Sequence, residues 1–365
     1  MVNHFKWYVN PQGPAPEKWS SLEKDIHPGA CGSCHQQQFK DWSQSLHHRA
    51  MGPSVLGQLL DMELDAPTLS ITCQRCHGPL AEQIPYLQKG IKNPAYEEGF
   101  REQGLVCAAC HVRNHTHFGP PPRHPPAENG PHGGFTVRNE YESPAFCAAC
   151  HDFAPGGGVH GKLVQETAEE WRRTPFAAEG KTCQSCHMPD RRHLWKGIHD
   201  PDMVRSAVSI QAECARGEKN DDSLFGSLSI TNVGAGHRFP TYTEPQVNLI
   251  LEQLDAHGKP LPDTRIEGAV GRHVTEEMDK ELYDTRLLPG ETFRLSYAHR
   301  LHAGAKTLVA RVEVWPDEAY RLYFIKMLAT PALRPQMPEV VKNVERAEKI
   351  DTDSRYILWE KKLPI

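Results

Sequence analysis

Residues 31–35 read Cys31-Gly32-Ser33-Cys34-His35, and the same pattern returns as CQRCH at 73–77, CAACH at 107–111, CAACH at 147–151 and CQSCH at 183–187. Two thiols three residues apart with a histidine directly after the second form the attachment signature of c-type haem. Both thiols reach the vinyl edge of one porphyrin, and the adjacent imidazole reaches the iron. With 11 Cys and 21 His in 365 residues, chance supplies roughly 0.02 such strings, against the five present. Zinc sites also use C-x-x-C pairs but need no histidine after every second cysteine, and five such pairs leave ligands unmatched. A disulfide scaffold needs no histidine register and belongs to much shorter chains. The spacing therefore predicts five covalent haems, held by Cys31 and Cys34, Cys73 and Cys76, Cys107 and Cys110, Cys147 and Cys150, and Cys183 and Cys186. His35, His77, His111, His151 and His187 are the proximal metal ligands.

Working outward, the motifs start at intervals of 42, 34, 40 and 36 residues, a loose repeat rather than a solenoid period. Helix signals between them are short: CGSCHQQQFKDWSQSLHH, in which the first motif is expected to open a helix, and ETAEEWRRT before the fifth. Proline- and glycine-rich stretches such as 119–134 and 154–161 cannot sustain regular structure. A chain so poor in apolar periodicity needs porphyrin surface as part of its core. From about residue 203 the pattern switches to period two, as in AVSIQAEC, SLSITNVG, QVNLILEQL, TFRLSYA and TLVARVEVW, with DAHGKPL (255–261) and LPGE (288–291) as turns. That predicts an antiparallel sandwich of immunoglobulin-like architecture, in which Cys214 is an inward-facing buried thiol. PDEAYRLYFIKMLA and PEVVKNVERAEKI read as helices, and RYILWEKKLPI as a strand or docking tail. The expected fold class is α+β: an N-terminal extension (1–24), an irregular, mainly short-helical haem domain (25–202), a β-sandwich (203–330), and a C-terminal helix and tail (331–365).

Length allows two or three domains of about 150 residues. The net charge of −5, spread over both halves, argues against a nucleic-acid or anionic-membrane surface. No run approaches the ~20 apolar residues of a membrane span. Haem attachment by thiols implies export to a periplasmic or extracellular location, although MVNHFKWYVNPQGPAPEKWS shows no signal peptide; the expectation is a leader removed or lying upstream.

In this context the sequence resembles the multihaem c-type cytochromes that include hydroxylamine oxidoreductase and its tetrahaem electron acceptors. The resemblance covers roughly residues 31–240. Its carriers are the first motif followed by W-x-x-S-x-H (Trp42, Ser45, His47), CHGP at 76–79, GLVCAACHVR at 104–113, FCAACHDF at 146–153, EW followed by GKTCQSCHMP, and H-x-W-x-G-x-H (His193, Trp195, Gly197, His199). It implies that His47 is a distal ligand to a haem other than that of its own motif, with His48 pointing elsewhere. The other distal candidates are His160, where glycines allow close backbone approach, His193 and His199 flanking the fifth motif, and one of His124 and His132, with His124 ahead. His115 and His117 read as surface or propionate contacts. His237, in NVGAGHRFPT, is either a turn residue or a further ligand.

The departures are equally informative. Nothing marks the tyrosine cross-linked to a catalytic haem in hydroxylamine oxidoreductase-like enzymes, and every motif ends in histidine, unlike pentahaem nitrite reductase, which has a lysine at one site. The favoured reading is an electron carrier with mostly bis-histidine haems, working between a donor and an acceptor protein. The alternatives are a reductase or oxidase of a small nitrogen or sulfur compound at one five-coordinate haem, with His48, His115, His117 or Arg113 beside it, and a protomer of a haem filament or of a membrane-associated complex.

Overall fold

The computed structural model describes residues 5, 8–124, 130–153, 158–218, 221–275, 279–330 and 338–365. Parts of the proline-rich and glycine-rich stretches (125–129 and 154–157) and the start of the expected C-terminal region (331–337) lie outside the described residues. The chain forms two compact units interleaved in sequence: 1–152 with 180–196 and 327–347, and 153–179 with 197–326 and 348–365. The sequence reading places its boundaries at 24/25, 202/203 and 330/331; the structure groups 153–179 and 197–202 with the strands and 327–347 with the first unit. Among the described residues no helix is long and apolar enough to cross a membrane.

The first unit is built from short helices joined by turns. Its helices include Pro28–Gly32, Gln36–Gln44, Pro53–Asp65, Pro67–His77, Cys107–His111, Pro144–His151 and Cys183–His187. A small apolar cluster of Val9, Trp42, Leu80, Phe100, Leu105, Val106, Ala108, Ala109 and Val112 lies behind the third motif. Four motifs fill the last turn of a helix, but the first does not open one: Ser33 and Cys34 form the turn between two helices, and His35 caps the second.

The second unit is the sandwich. Its strands are β1 (Val208–Arg216), β2 (Ser223–Asn232), β3 (Gln246–Leu254), β4 (Ile266–Val274), β5 (Glu281–Asp284), β6 (Thr292–Arg300), β7 (Thr307–Trp315) and β8 (Tyr356–Pro364). They form a three-stranded sheet in the order β6-β2-β1 and a five-stranded sheet in the order β5-β4-β3-β7-β8, with every pairing antiparallel. This is the strand order of an immunoglobulin-type sandwich. Period two does the packing: Leu224, Leu228 and Ile230 on β2 meet Val247, Leu249 and Leu251 on β3 and Leu308, Ala310, Val312 and Val314 on β7. Each large aliphatic side chain so buried contributes about 1.5–3 kcal/mol. Central β3 is covered on both faces, which is why its sequence is nearly continuous in apolar residues. Cys214 is only half-buried, since β1 is an edge strand; its Sγ donates to the Pro364 carbonyl at 3.5 Å. The last predicted segment is a strand, β8, paired along β7.

Candidate haem-binding sites

Within a helical turn, cysteines at i and i+3 and histidine at i+4 share one face. The imidazoles are then oriented by backbone carbonyls. His77 Nδ1 donates to Ala50 O at 2.7 Å, His111 Nδ1 to Phe118 O at 2.8 Å and His187 Nδ1 to Lys196 O at 2.6 Å. A carbonyl can only accept, so Nδ1 carries the proton and Nε2 keeps a lone pair for a metal.

Two of the five motif histidines, His151 and His111, each have a second imidazole nearby. The ring centres of His47 and His151 are 6.3 Å apart, and those of His111 and His193 are 6.2 Å apart. A metal–imidazole bond is about 2 Å and the ring centre lies about 1.1 Å behind Nε2, so two rings on opposite sides of one iron have centres about 6.2 Å apart. Both ring-centre spacings match that width. Burial pushes His47 down to about 3 and both His111 and His151 down to about 4, and it lowers His193 and His77 as well. Burial thus favours the neutral form at all five, the form that ligation requires.

The His47 and His193 rings are held by residues that spacing did not reveal. Trp195 packs edgewise between them, 4.4 Å from His47 and 5.0 Å from His193. Asp41, only 3% exposed, accepts from Arg192 Nε at 2.6 Å and Nη2 at 2.7 Å, from His193 N at 3.1 Å and from Gln37 Nε2 at 2.8 Å. The Arg192 guanidinium holds that carboxyl below its usual range. His47 is pinned through Leu105, whose N–H donates to His47 O at 2.8 Å and whose carbonyl accepts from Trp42 Nε1 at 2.8 Å. Preceding it, Gly104 has φ +67°, and a Cβ there would lie 2.5 Å from both His47 O and His48 O. Only glycine lets the two backbones approach so closely.

The motifs neighbour one another in a definite order. The thiols of Cys31 and Cys107, of Cys76 and Cys150, and of Cys147 and Cys183 lie within hydrogen-bonding reach. These contacts and burial raise Cys107, Cys147 and Cys150, while the hydrogen bonds lower Cys31, Cys76 and Cys183. Cys110, pushed up to about 11 by burial, is felt electrostatically by Cys147 and Cys150. Motif 3 thus adjoins motifs 1 and 4, and motif 4 also adjoins motifs 2 and 5.

The remaining sequence-predicted histidines are placed as follows. His48 turns away from His47, with its ring 4.3 Å from Trp42 and Nδ1 3.3 Å from Gln103 O. His117 and His132 stack on each other at 4.0 Å, too close for a metal between them, and His132 Nδ1 donates to Gly134 O. His115 is half-buried, with Nε2 3.0 Å from Gly13 O. Arg113 gives Nη1 to the carbonyls of Ala108 and Val112. His124 is exposed and follows Arg123, whose guanidinium is 3.8 Å from Asp190, just past the fifth motif. In the second unit, His160 is exposed at the tip of the hairpin formed by Gly158–Val159 and Lys162–Leu163, with φ +48° before Gly161 at +81°. The hairpin is clamped by Arg272, which donates to Leu163 O, and by Lys162, 2.6 Å from Glu281. His199 Nε2 is 2.7 Å from Asp317 Oδ2, and His237 Nδ1 donates to Arg238 O at 2.8 Å.

No family model and no curated protein matches the chain. Among solved structures, the ApaA protein from Bordetella pertussis aligns at 15% identity over 29% of this chain and 76% of its own, with a TM-score of 0.17, too low to define a shared fold. A penta-heme cytochrome c552 from Thermochromatium tepidum aligns over 95% of this chain and 100% of its own, at 17% identity with a TM-score of 0.63. The chain shares the fold of that cytochrome across nearly its whole length.

Proposed function

We propose that the chain is an exported pentahaem c-type cytochrome, akin to the group around hydroxylamine oxidoreductase, that passes single electrons between a donor and an acceptor protein. The observation that carries this is the pair of imidazole gaps at the width of one histidine-ligated iron. Each C-x-x-C would supply two thioether sulfurs and the following histidine one nitrogen to the iron. His47 would share an iron with His151, and His193 with His111. His124, His160 and His199 are the sequence-derived candidates for the remaining irons.

Bound haem supplies the one-electron carrier, and its potential is set by axial ligands, burial and nearby hydrogen bonds. The residues order those carriers: motifs 1, 3, 4 and 5 form a run, with motif 2 beside motif 4. Cys34 and Cys186, in the first and fifth motifs, are exposed, which makes the two ends of the run the surfaces for redox partners. The fold likeness to a penta-heme cytochrome supports the haem number, and the five thiol-attachment motifs support a periplasmic or extracellular location.

Intact mass and haem quantification of the exported protein should give five haems, and electron paramagnetic resonance should show low-spin ferric iron. His47→Ala should keep five haems and convert one to high spin. Fewer haems, or zinc in their place, would refute the proposal. Nitrite or hydroxylamine turnover with a viologen donor, together with a high-spin signal in the unaltered protein, would favour the reductase reading instead.

A further inference from the structure

Tyr141 precedes the fourth motif by six residues, yet its ring lies flat on the proximal imidazole of the third. The ring centres of Tyr141 and His111 are 5.1 Å apart and their planes differ by 7°. The tyrosine is itself fixed at three points. Its hydroxyl donates to Cys110 O at 2.6 Å, Phe146 packs against its ring at 4.6 Å, and its carbonyl accepts from Gln184 Nε2 at 2.9 Å. Among the described residues the His111 ring has one hydrogen bond, to Phe118 O, which fixes the tautomer but resists rotation of the ring only weakly. A parallel aromatic face keyed to the peptide of the preceding cysteine removes the remaining freedom.

We infer that Tyr141 is a positioning residue for the motif-3 haem, locking the plane of the His111 imidazole relative to the His193 ring, which lies at 37° to it. The angle between two axial imidazoles sets how the iron d orbitals split, and so shapes both the paramagnetic spectrum and the potential. This inference rests on the proposed ligation of one iron by His111 and His193.

The test uses the haem-loaded full chain. His193→Ala should convert one low-spin signal to high spin, and the difference spectrum identifies the motif-3 haem. Tyr141→Leu should then shift the g values and midpoint potential of that haem and leave the other four unchanged. Tyr141→Phe, which keeps the stacked ring, should retain the g values. If Tyr141→Leu fails to load haem, Tyr141→Met, closer in volume to the native side chain, takes its place with the same expected shift. If His193→Ala changes no low-spin signal, the proposed ligation is wrong. If His193→Ala behaves as expected but the Leu or Met variant leaves the g values in place, or the Phe variant shifts them equally, the role of Tyr141 is overturned.

Discussion

Replacing Gly104 with alanine should disturb two of the proposed haem sites at once without altering His47 or His77. The residue has φ +67° and ψ −141°, a region that side chains avoid, and holding a non-glycine residue there costs about 1–3 kcal/mol. The new Cβ would stand 2.5 Å from the carbonyl oxygens of His47 and His48 and 2.9 Å from Ala50 N. Relief to ordinary contact near 3.4 Å needs the 47–50 backbone to retreat by about 0.9 Å, a steric penalty of about 1–3 kcal/mol more. The sum is roughly 2–6 kcal/mol. That backbone carries the His47 ring toward His151 and offers the Ala50 carbonyl to His77, so the retreat loosens both. Gly99→Ala is the control: its φ is +82°, but nothing lies within 4 Å of the added Cβ, so it pays only the conformational term. Chemical denaturation gives the stability difference, and paramagnetic resonance shows whether low-spin iron is lost. If Gly104→Ala is no more destabilising than Gly99→Ala, or leaves the low-spin signals intact, the close-approach argument fails.

Other perturbations test neighbouring links. Trp42→Phe removes the donor to Leu105 O and leaves that carbonyl buried; the expected loss is about 2–3 kcal/mol by equilibrium unfolding, with a weaker low-spin signal from the motif-4 haem. Asp41→Asn cannot satisfy both the Arg192 guanidinium and His193 N–H, so the iron proposed to be shared by His111 and His193 should gain high-spin character in the resonance spectrum while the other signals persist. Asp351, raised to about 7 by burial and by Asp317 and Glu348, with Arg321 opposing, holds its proton more tightly folded than unfolded. Its contribution is therefore present at acid pH and is lost as pH rises from about 4 to 7, by at most about 4 kcal/mol. Asp351→Asn should flatten that slope in thermal unfolding across this range; an unchanged slope would refute the assignment.

Much of this architecture was legible in residue spacing. The five motifs stand out because covalent attachment demands fixed local chemistry, and the sandwich because alternation over 208–315 has only one way to bury its apolar face. What spacing could not give is who faces whom. His47 and His151 are 104 residues apart and His111 and His193 are 82 apart, and the sequence holds no periodicity that joins them. The first motif was expected to open a helix, but the structure puts Ser33 and Cys34 in a turn. Cys214 alternates correctly yet is only half-buried, because edge position depends on sheet order. Trp195 and Gly104 stood inside quoted strings, but nothing local assigned one to two distal rings or the other to the backbone of residues 47–50. Tyr141 and Asp41 gave no signal at all, since each acts through a contact distant in sequence.

The peptide segment from His47 to Ala50 presents a side chain toward one histidine site and a carbonyl toward another, so the two sites share a mechanical support. A strain that tilts the His47 ring also changes the hydrogen bond that sets the basicity of His77. The second and fourth centres are thus expected to drift together in potential under mutation, solvent change or partner docking. Such correlated drift would preserve the driving force between them while their common level moves.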